Sequence, residues 1–264
     1  MKAEDYIRQQ IDAGYTIHFH DNEWWEKVSP FYYRPVLPMR AVTVGCRPKM
    51  SRSFLGYSHI VKDEKSANRH WSIMLLPNEK LKEFSMKNLP EAKRKRIRKG
   101  LKLSEVRRIE DIGPVLEDMR QICISVALRT KHGKTPEYYT DSYDEWKTYM
   151  TTLFNLPERQ WWGTFHEGVL IAYHYAVQID DTMYHLATKG HANYLDRCPN
   201  DALIFTFLDY CRGLGDCSQV HTGDWVEDKP SLNKFKEYFG FEKVDLPVYT
   251  WYNPAVRWVR KIIK

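Results

Sequence analysis

WWGTFHEGVLIAYHYAVQIDDTMYHLAT, residues 161–188, alternates its side chains with period two and is interrupted at His166-Glu167-Gly168 and at Asp180-Asp181. Such alternation between turn signals predicts three strands, 161–165, 169–179 and 183–188, in an antiparallel meander. Pro199-Asn200-Asp201 then supplies helix-start chemistry. Leu203, Phe207, Cys211 and Leu214 recur on one face of the helix that follows, and Gly213 with Gly215 stops it. Residues 219–222 read as another strand. In the next stretch, Ser231-Leu-Asn-Lys-Phe-Lys-Glu-Tyr-Phe-Gly-Phe241, Ser231 is expected to cap a short helix, and a closing strand runs on to Tyr252. Strands and helices in this succession specify a mixed α/β unit.

Lys236 is oddly placed in that short helix. Leu232, Phe235 and Phe239 make an apolar stripe, and Lys236, four residues after Leu232, falls on the same side. Two readings compete. In one the stem packs along the stripe while the ammonium snorkels to water. In the other the ammonium faces a cleft and stabilises negative charge that develops in a reaction.

Composition bounds the rest. A chain of 264 residues, 43% apolar and 14% aromatic, has ample material for a buried core. Its net charge of +6 suits an anionic partner without choosing among nucleic acid, phosphate and membrane. Residues 1–15 hold Lys2, Glu4, Asp5, Arg8 and Asp12 and lack the apolar core of a signal peptide, and no run of uncharged apolar residues is long enough for a membrane span. Five cysteines without a Cys-x-x-Cys pair fit reduced thiols. A cytoplasmic protein is expected. The basic amphipathic end, residues 254–264, leaves open a peripheral position at the inner membrane face or an ordinary docked helix.

Ahead of the meander, residues 1–15 read as a charged helix and 24–38 as a turn-rich aromatic region. Runs 41–46, 54–61 and 70–76 read as strands of one antiparallel sheet. Pro90-Glu91 opens a helix that Gly100 is expected to end. Residues 92–102 of it carry seven lysines and arginines and no acidic residue. That face either contacts an RNA backbone, through Lys93, Arg94, Arg96 and Arg98, or is merely solvated. Residues 109–128 read as a long helix, 130–143 as a tyrosine-rich loop over a site, and 144–154 as another helix.

His18 and His20 alternate on one predicted strand, but no third ligand is near and no metal is expected. His174, in mid-strand, is either a core histidine or a proton acceptor. Asp224, in Thr222-Gly223-Asp224, either orients an ammonium at a cleft or ends its strand.

The element order, Gly163 and Gly168 around the first hairpin, and Phe235-Lys236-x-x-Phe239-Gly240 together resemble the GNAT superfamily, and within it the FemABX-like branch. The resemblance covers the last two thirds of the chain, from the basic helix onward. It implies a GNAT-like α/β fold, a central mostly antiparallel sheet flanked by helices, with residues 1–89 a shortened amino-terminal half and 90–264 the catalytic domain. It also implies direct transfer of an acyl or aminoacyl group to an amine of a cell-envelope precursor or glycan. Lys236 is then the residue near the reacting centre, and Asp224 and His174, from their own positions, are the candidate catalytic companions beside it. The family's acceptor is phosphate-bearing, and Arg129 either contacts it or is a surface arginine beside a loop. Tyr138 and Tyr139 either line the same cleft or pack on their neighbours. Tyr184 and Phe235 are assigned to the acceptor, which a basic carboxy-terminal end would also suit if it were lipid-linked. Thr188, Lys189 and Asn200 are assigned to the donor, acyl-CoA or aminoacyl-tRNA, with no tightly bound cofactor. One departure weighs on the donor. Where CoA-dependent members carry a glycine-rich phosphate loop, residues 189–199 here contain one glycine. Two alternatives stay open: an acetyl-CoA-dependent N-acetyltransferase for an amino sugar or small amine, and a non-catalytic RNA-binding or scaffolding protein.

Overall fold

The computed structural model describes residues 1–29, 31–49, 55–130 and 133–254. In chain order it contains α1 (Ala3–Asp12), β1 (Ile17–His20), β2 (Glu23–Ser29), β3 (Tyr32–Pro35), β4 (Gly56–Ile60), β5 (Arg69–Leu76), α2 (Asn78–Lys82) and α3 (Glu91–Leu103). These are followed by β6 (Glu105–Arg108), α4 (Leu116–Thr130), α5 (Tyr138–Asp141), α6 (Tyr143–Asn155), β7 (Arg159–His166), β8 (Val169–Ile179) and β9 (Thr182–Gly190). The last elements are α7 (Pro199–Gly213), β10 (Gln219–Asp224), α8 (Pro230–Glu237) and β11 (Glu242–Tyr252). The carboxy-terminal helix expected at 254–264 lies, but for Pro254, outside the described residues.

Two compact units form, Met1–Ile73 with Val244–Lys264, and Met74–Lys243, and the chain crosses between them inside β5 and inside β11. In the first unit β1, β2 and β3 make an antiparallel meander, and β3 pairs in parallel with β4, which pairs antiparallel with β11. Asp21 and Asn22 both take positive φ, the requirement of a tight hairpin turn, and so join β1 to β2. Trp25 is fully buried edge-on against Tyr57 at 5.6 Å, with Tyr249 and Trp251 packed around the pair. This unit departs from the strand arrangement expected of it. The aromatic stretch 24–38 is largely strand, whereas 41–46 contributes only an isolated bridge from Ala41 to Ile60. The neighbours of β4 are one parallel and one antiparallel strand.

The second unit contains the predicted meander. Its sheet runs β5-β10-β9-β8-β7-β6, antiparallel from β9 to β6, with β10 parallel to β9. Both faces are covered. Ile97 of α3 and Leu203, Ile204 and Phe207 of α7 pack on one face with Trp162, Ala172, Ala176 and Met183. Met119 and Ile122 of α4 and Trp146 and Met150 of α6 pack on the other with Trp161, Phe165 and Tyr173. Adjacent Trp161 and Trp162 thus enter opposite cores, as alternation in a strand demands. Each fully buried aromatic contributes roughly 1.5–3 kcal/mol.

Two local expectations fail, the first for a tertiary reason and the second for a local one. Gly100 does not end α3, which runs on to Leu103; a Cβ at Gly100 would lie 2.6 Å from the Cys198 carbonyl oxygen and 2.8 Å from Ala202 Cβ. It is the point at which α3 and α7 approach closely. The long helix starts at Leu116 after a 3-10 turn at Gly113–Val115, because Pro114 interrupts the helical pattern, and residues 105–108 form an unforeseen edge strand along β7.

Candidate active site

β9 and β10 pair only at Gln219↔Thr182, Val220↔Met183 and His221↔Tyr184. Beyond that point β9 continues to Gly190 and β10 to Asp224, so the two strands part and leave a wedge. At the wedge β9 carries a bulge. Ala176 faces His185 and Tyr175 faces Ala187, which leaves Leu186 as the extra residue, 42% exposed. Bulges of this kind re-aim side chains and end pairing. A cleft of about 240 Å³ occupies the wedge, lined by His185, Leu186, Ala187 and Thr188 of β9 and by Thr222 and Gly223 of β10. Ile204, Leu232, Phe235, Lys236, Phe239 and Phe241 complete its wall.

Lys236 is 9% exposed, so its ammonium does not snorkel. Its Nζ donates to the backbone carbonyl of Asp224 at 2.9 Å. Burial pulls its pKa down to about 8 from the ordinary 10.5, against the opposing pull of the Asp224 charge. Proton release near neutral pH is therefore within reach of this group. Asn233 explains how α8 is held. Its side chain takes the Val226 N–H at 3.1 Å and donates to the Val226 carbonyl at 2.7 Å, tying the helix to the loop after β10. Ser231 is not the cap, since Lys229 occupies that position and no side chain caps the helix.

A histidine that sequence reasoning passed over braces the wedge. His185 pairs through Nδ1 with the Thr222 hydroxyl at 3.0 Å and through Nε2 with the Thr188 hydroxyl, so one ring links both diverging strands. Burial, then the nearby Lys236 charge, pushes its pKa down to about 3, and the ring is neutral. His174 lies one layer deeper, its ring 4.7 Å from His185 and 4.0 Å from Phe207, with both nitrogens buried and lacking hydrogen-bond partners. Burial pushes its pKa well down. The ring stands behind His185 and is not among the residues lining the cleft.

The start of α7 is closed from within. Residues 192–197 form a 3-10 helix, Cys198 takes a left-handed φ of 59°, and Pro199 opens α7. Asp201, in the first turn, is buried and receives Lys93 Nζ at 2.7 Å on Oδ1 and Arg96 on Oδ2 at 3.0 and 3.1 Å. The Lys93 side chain is 2% exposed. Its Nζ sits 4.1 Å from the Phe235 ring centroid and 4.4 Å from that of Phe239, two rings of the cleft wall. Burial lowers the Lys93 pKa and Asp201 opposes the shift. Lys93 is thus removed from any RNA-facing surface. Arg96 remains partly exposed but is engaged, while Lys95, Arg98, Lys99 and Lys102 are exposed.

The predicted site residues divide accordingly. Lys236, Phe235 and Thr188 line the cleft, and Asp224 borders it through its carbonyl. Lys189 points to the other face of the sheet, where Nζ reaches Cys123 Sγ at 3.2 Å. Tyr184 is buried with its ring 5.5 Å from that of His221, outside the cleft lining. Asn200 Oδ1 is buried against Gly190, where a Cβ would lie 2.7 Å away. Tyr139, 7% exposed, packs on Trp146, and burial pushes its hydroxyl up to about 12. Tyr138 hydrogen-bonds Glu145 at 3.2 Å, and Arg129 is exposed at the end of α4. Neither lines the cleft. His18 accepts from the Lys49 N–H and His20 pairs with the Arg47 carbonyl. Among the described residues no group of three or more His, Cys, Asp or Glu is arranged to hold a metal, and no helix is long and apolar enough to cross a membrane.

No family model and no curated protein matches the sequence. Solved structures do. FemX is 10% identical, with 99% of this chain and 94% of that chain covered and a TM-score of 0.62. A C-terminal (DUF2156) domain ascribed to a lysylphosphatidylglycerol synthetase of Agrobacterium fabrum is 9% identical over 98% of this chain and 95% of that one, at 0.63. L-PGS from Bacillus licheniformis is 9% identical over 99% and 95%, at 0.57. At these identities the likeness is one of fold: the mixed α/β fold expected from the sequence is the fold of this chain, and FemX shares it.

Proposed function

We propose that the chain transfers an aminoacyl or acyl group to an acceptor of the cell envelope, with the chemistry in the β9–β10 wedge. The observation that carries this reading is the buried Lys236 ammonium on the wall of a cleft whose strands have let go of each other. A nucleophile attacking an acyl carbonyl creates an oxyanion, and a preorganised cation in a water-poor site stabilises it. Strand edges that no longer pair with each other offer N–H and C=O groups to an extended donor. Positioning of the two reactants supplies the rest of the acceleration, since no covalent enzyme intermediate is needed. The cleft lies within residues 185–241, inside the stretch 90–264 proposed as the catalytic domain. The names of the neighbouring structures, FemX and lysylphosphatidylglycerol synthetase, agree with an aminoacyl donor and an envelope acceptor.

Asp201 supports a donor other than acyl-CoA. A helix start that binds a pyrophosphate presents free N–H groups and positive potential. In α7 a buried carboxylate already occupies that field, held by Lys93 and Arg96. The exposed cations of α3 are then available to a polyanionic donor such as aminoacyl-tRNA. Titrations of intrinsic tryptophan fluorescence with acetyl-CoA, and of labelled aminoacyl-tRNA by polarisation, test this assignment. Saturable tRNA binding that weakens with salt, with a shallower salt slope in the Arg98→Glu/Lys99→Glu variant, is expected. Micromolar saturation by acetyl-CoA alone would move the assignment to an N-acetyltransferase, and tRNA binding without any transfer would leave an RNA-binding protein.

A further inference from the structure

The first unit repeats the construction of the wedge. β1, β2 and β3 form a meander that closes on a parallel pair, β3 with β4, just as the second unit's meander closes on β9 with β10. The β3–β4 pair also lets go early, after Tyr33↔Tyr57. The residues just beyond that point, Arg34 and Pro35 on β3 and Ser58 to Ile60 on β4, line a cavity of about 210 Å³ together with Pro38, Arg40, Trp71 and Val248. Strands that part make room; here Ala41 bridges the β4 edge at Ile60, and two guanidiniums line the space where the other wedge has one ammonium.

Neither arginine is fully used. Arg34 Nε stands 3.8 Å from Glu26 Oε2, and Arg40 Nε 3.6 Å from Glu23 Oε2, both beyond hydrogen-bonding distance. Glu23 Oε1 already takes the Trp24 N–H at 2.8 Å. Both arginine side chains are more than half exposed, so each keeps several of its five donors for a ligand. Two such forks match the charge and the oxygens of a dianionic phosphate, whereas a carboxylate fills only one. Besides the polar Ser58 and His59, the lining is an indole, two prolines and the aliphatic Ile60 and Val248, which is a surface for a flat apolar ring. We propose that this cavity is a second binding site, for a small organic phosphate whose ring rests on Trp71 while Arg34 and Arg40 hold the phosphate. The volume suits a fragment of that size rather than a large cofactor. The site is independent of Lys236 and of the transfer reaction assigned to it.

Isothermal titration of the full chain with phenyl phosphate, benzoate and inorganic phosphate tests the assignment, with tryptophan fluorescence followed in parallel. Phenyl phosphate should bind saturably and at least about tenfold more tightly than either of the other two. Arg34→Met/Arg40→Met should abolish that preference with the circular dichroism spectrum unchanged, and Trp71→Phe should remove the fluorescence response and weaken binding. Lys236→Met should leave it intact, which separates this site from the transfer site. Absence of saturable phenyl phosphate binding, equal binding of benzoate, or unchanged affinity in the double arginine variant would each overturn the proposal.

Discussion

Lys236→Met should make the folded protein more stable while removing its activity. Burial lowers the Lys236 pKa from the ordinary 10.5 to about 8, so at pH 7, where the lysine is charged in both states, the folded chain carries a penalty of roughly 3 kcal/mol. Methionine fills a similar volume without charge. It leaves the Asp224 carbonyl without its donor, at a cost of about 1 kcal/mol, so the variant should gain about 2 kcal/mol at pH 7. Between pH 8 and 10.5 the unfolded chain still holds a proton that folded Lys236 has lost, so wild-type stability rises with pH through that window. The variant lacks this rise, and its advantage shrinks toward pH 10. Urea denaturation of both proteins at pH 7 and pH 10 measures the difference. Turnover should fall by about a hundredfold or more, the scale of losing one oxyanion donor. In the wild type, activity should decline as pH rises through about 8, because the charged form is the stabilising one. A variant no more stable at pH 7, or a gap that does not change with pH, would refute the burial argument. Unchanged turnover would take Lys236 out of the mechanism.

Asp201→Asn should cost about 3–5 kcal/mol by urea denaturation, since it strands the buried Lys93 ammonium. Pairing Lys93→Met with Asp201→Leu should recover most of that loss, and failure to recover it would mean that the ion pair is not what fixes the contact of α3 with α7. Gly100→Ala should lower the melting temperature even though alanine favours helix by about 1 kcal/mol, because its Cβ would meet the Cys198 carbonyl at 2.6 Å. A rise in melting temperature would show that the two helices can separate without cost.

Much of the second unit was legible because its signals are local. The period-two run and its turns at Glu167-Gly168 and Asp180, all of positive φ, specify the meander without knowledge of its neighbours. Lys236 stood out because one charge on an apolar stripe is a local anomaly. The Asp21-Asn22 turn was a comparable signal for the β1–β2 hairpin, masked by the aromatic density that follows it. Other features had no local mark. Lys93 looks like every other cation in its run, and its fate is decided by Asp201, 108 residues away. His185 reads as one polar position in a strand until Thr222 arrives from β10.

By itself, then, the sequence determined the strand and helix order of residues 161–252 and marked Lys236, since periodicity and turn chemistry act between residues a few positions apart. The place where β9 and β10 separate, the brace at His185, the carboxylate at the head of α7 and the burial that lowers Lys236 toward pH 8 were decided by tertiary structure. Each depends on which distant groups share a water-poor space, and desolvation and ion pairing have no magnitude until packing brings those groups together.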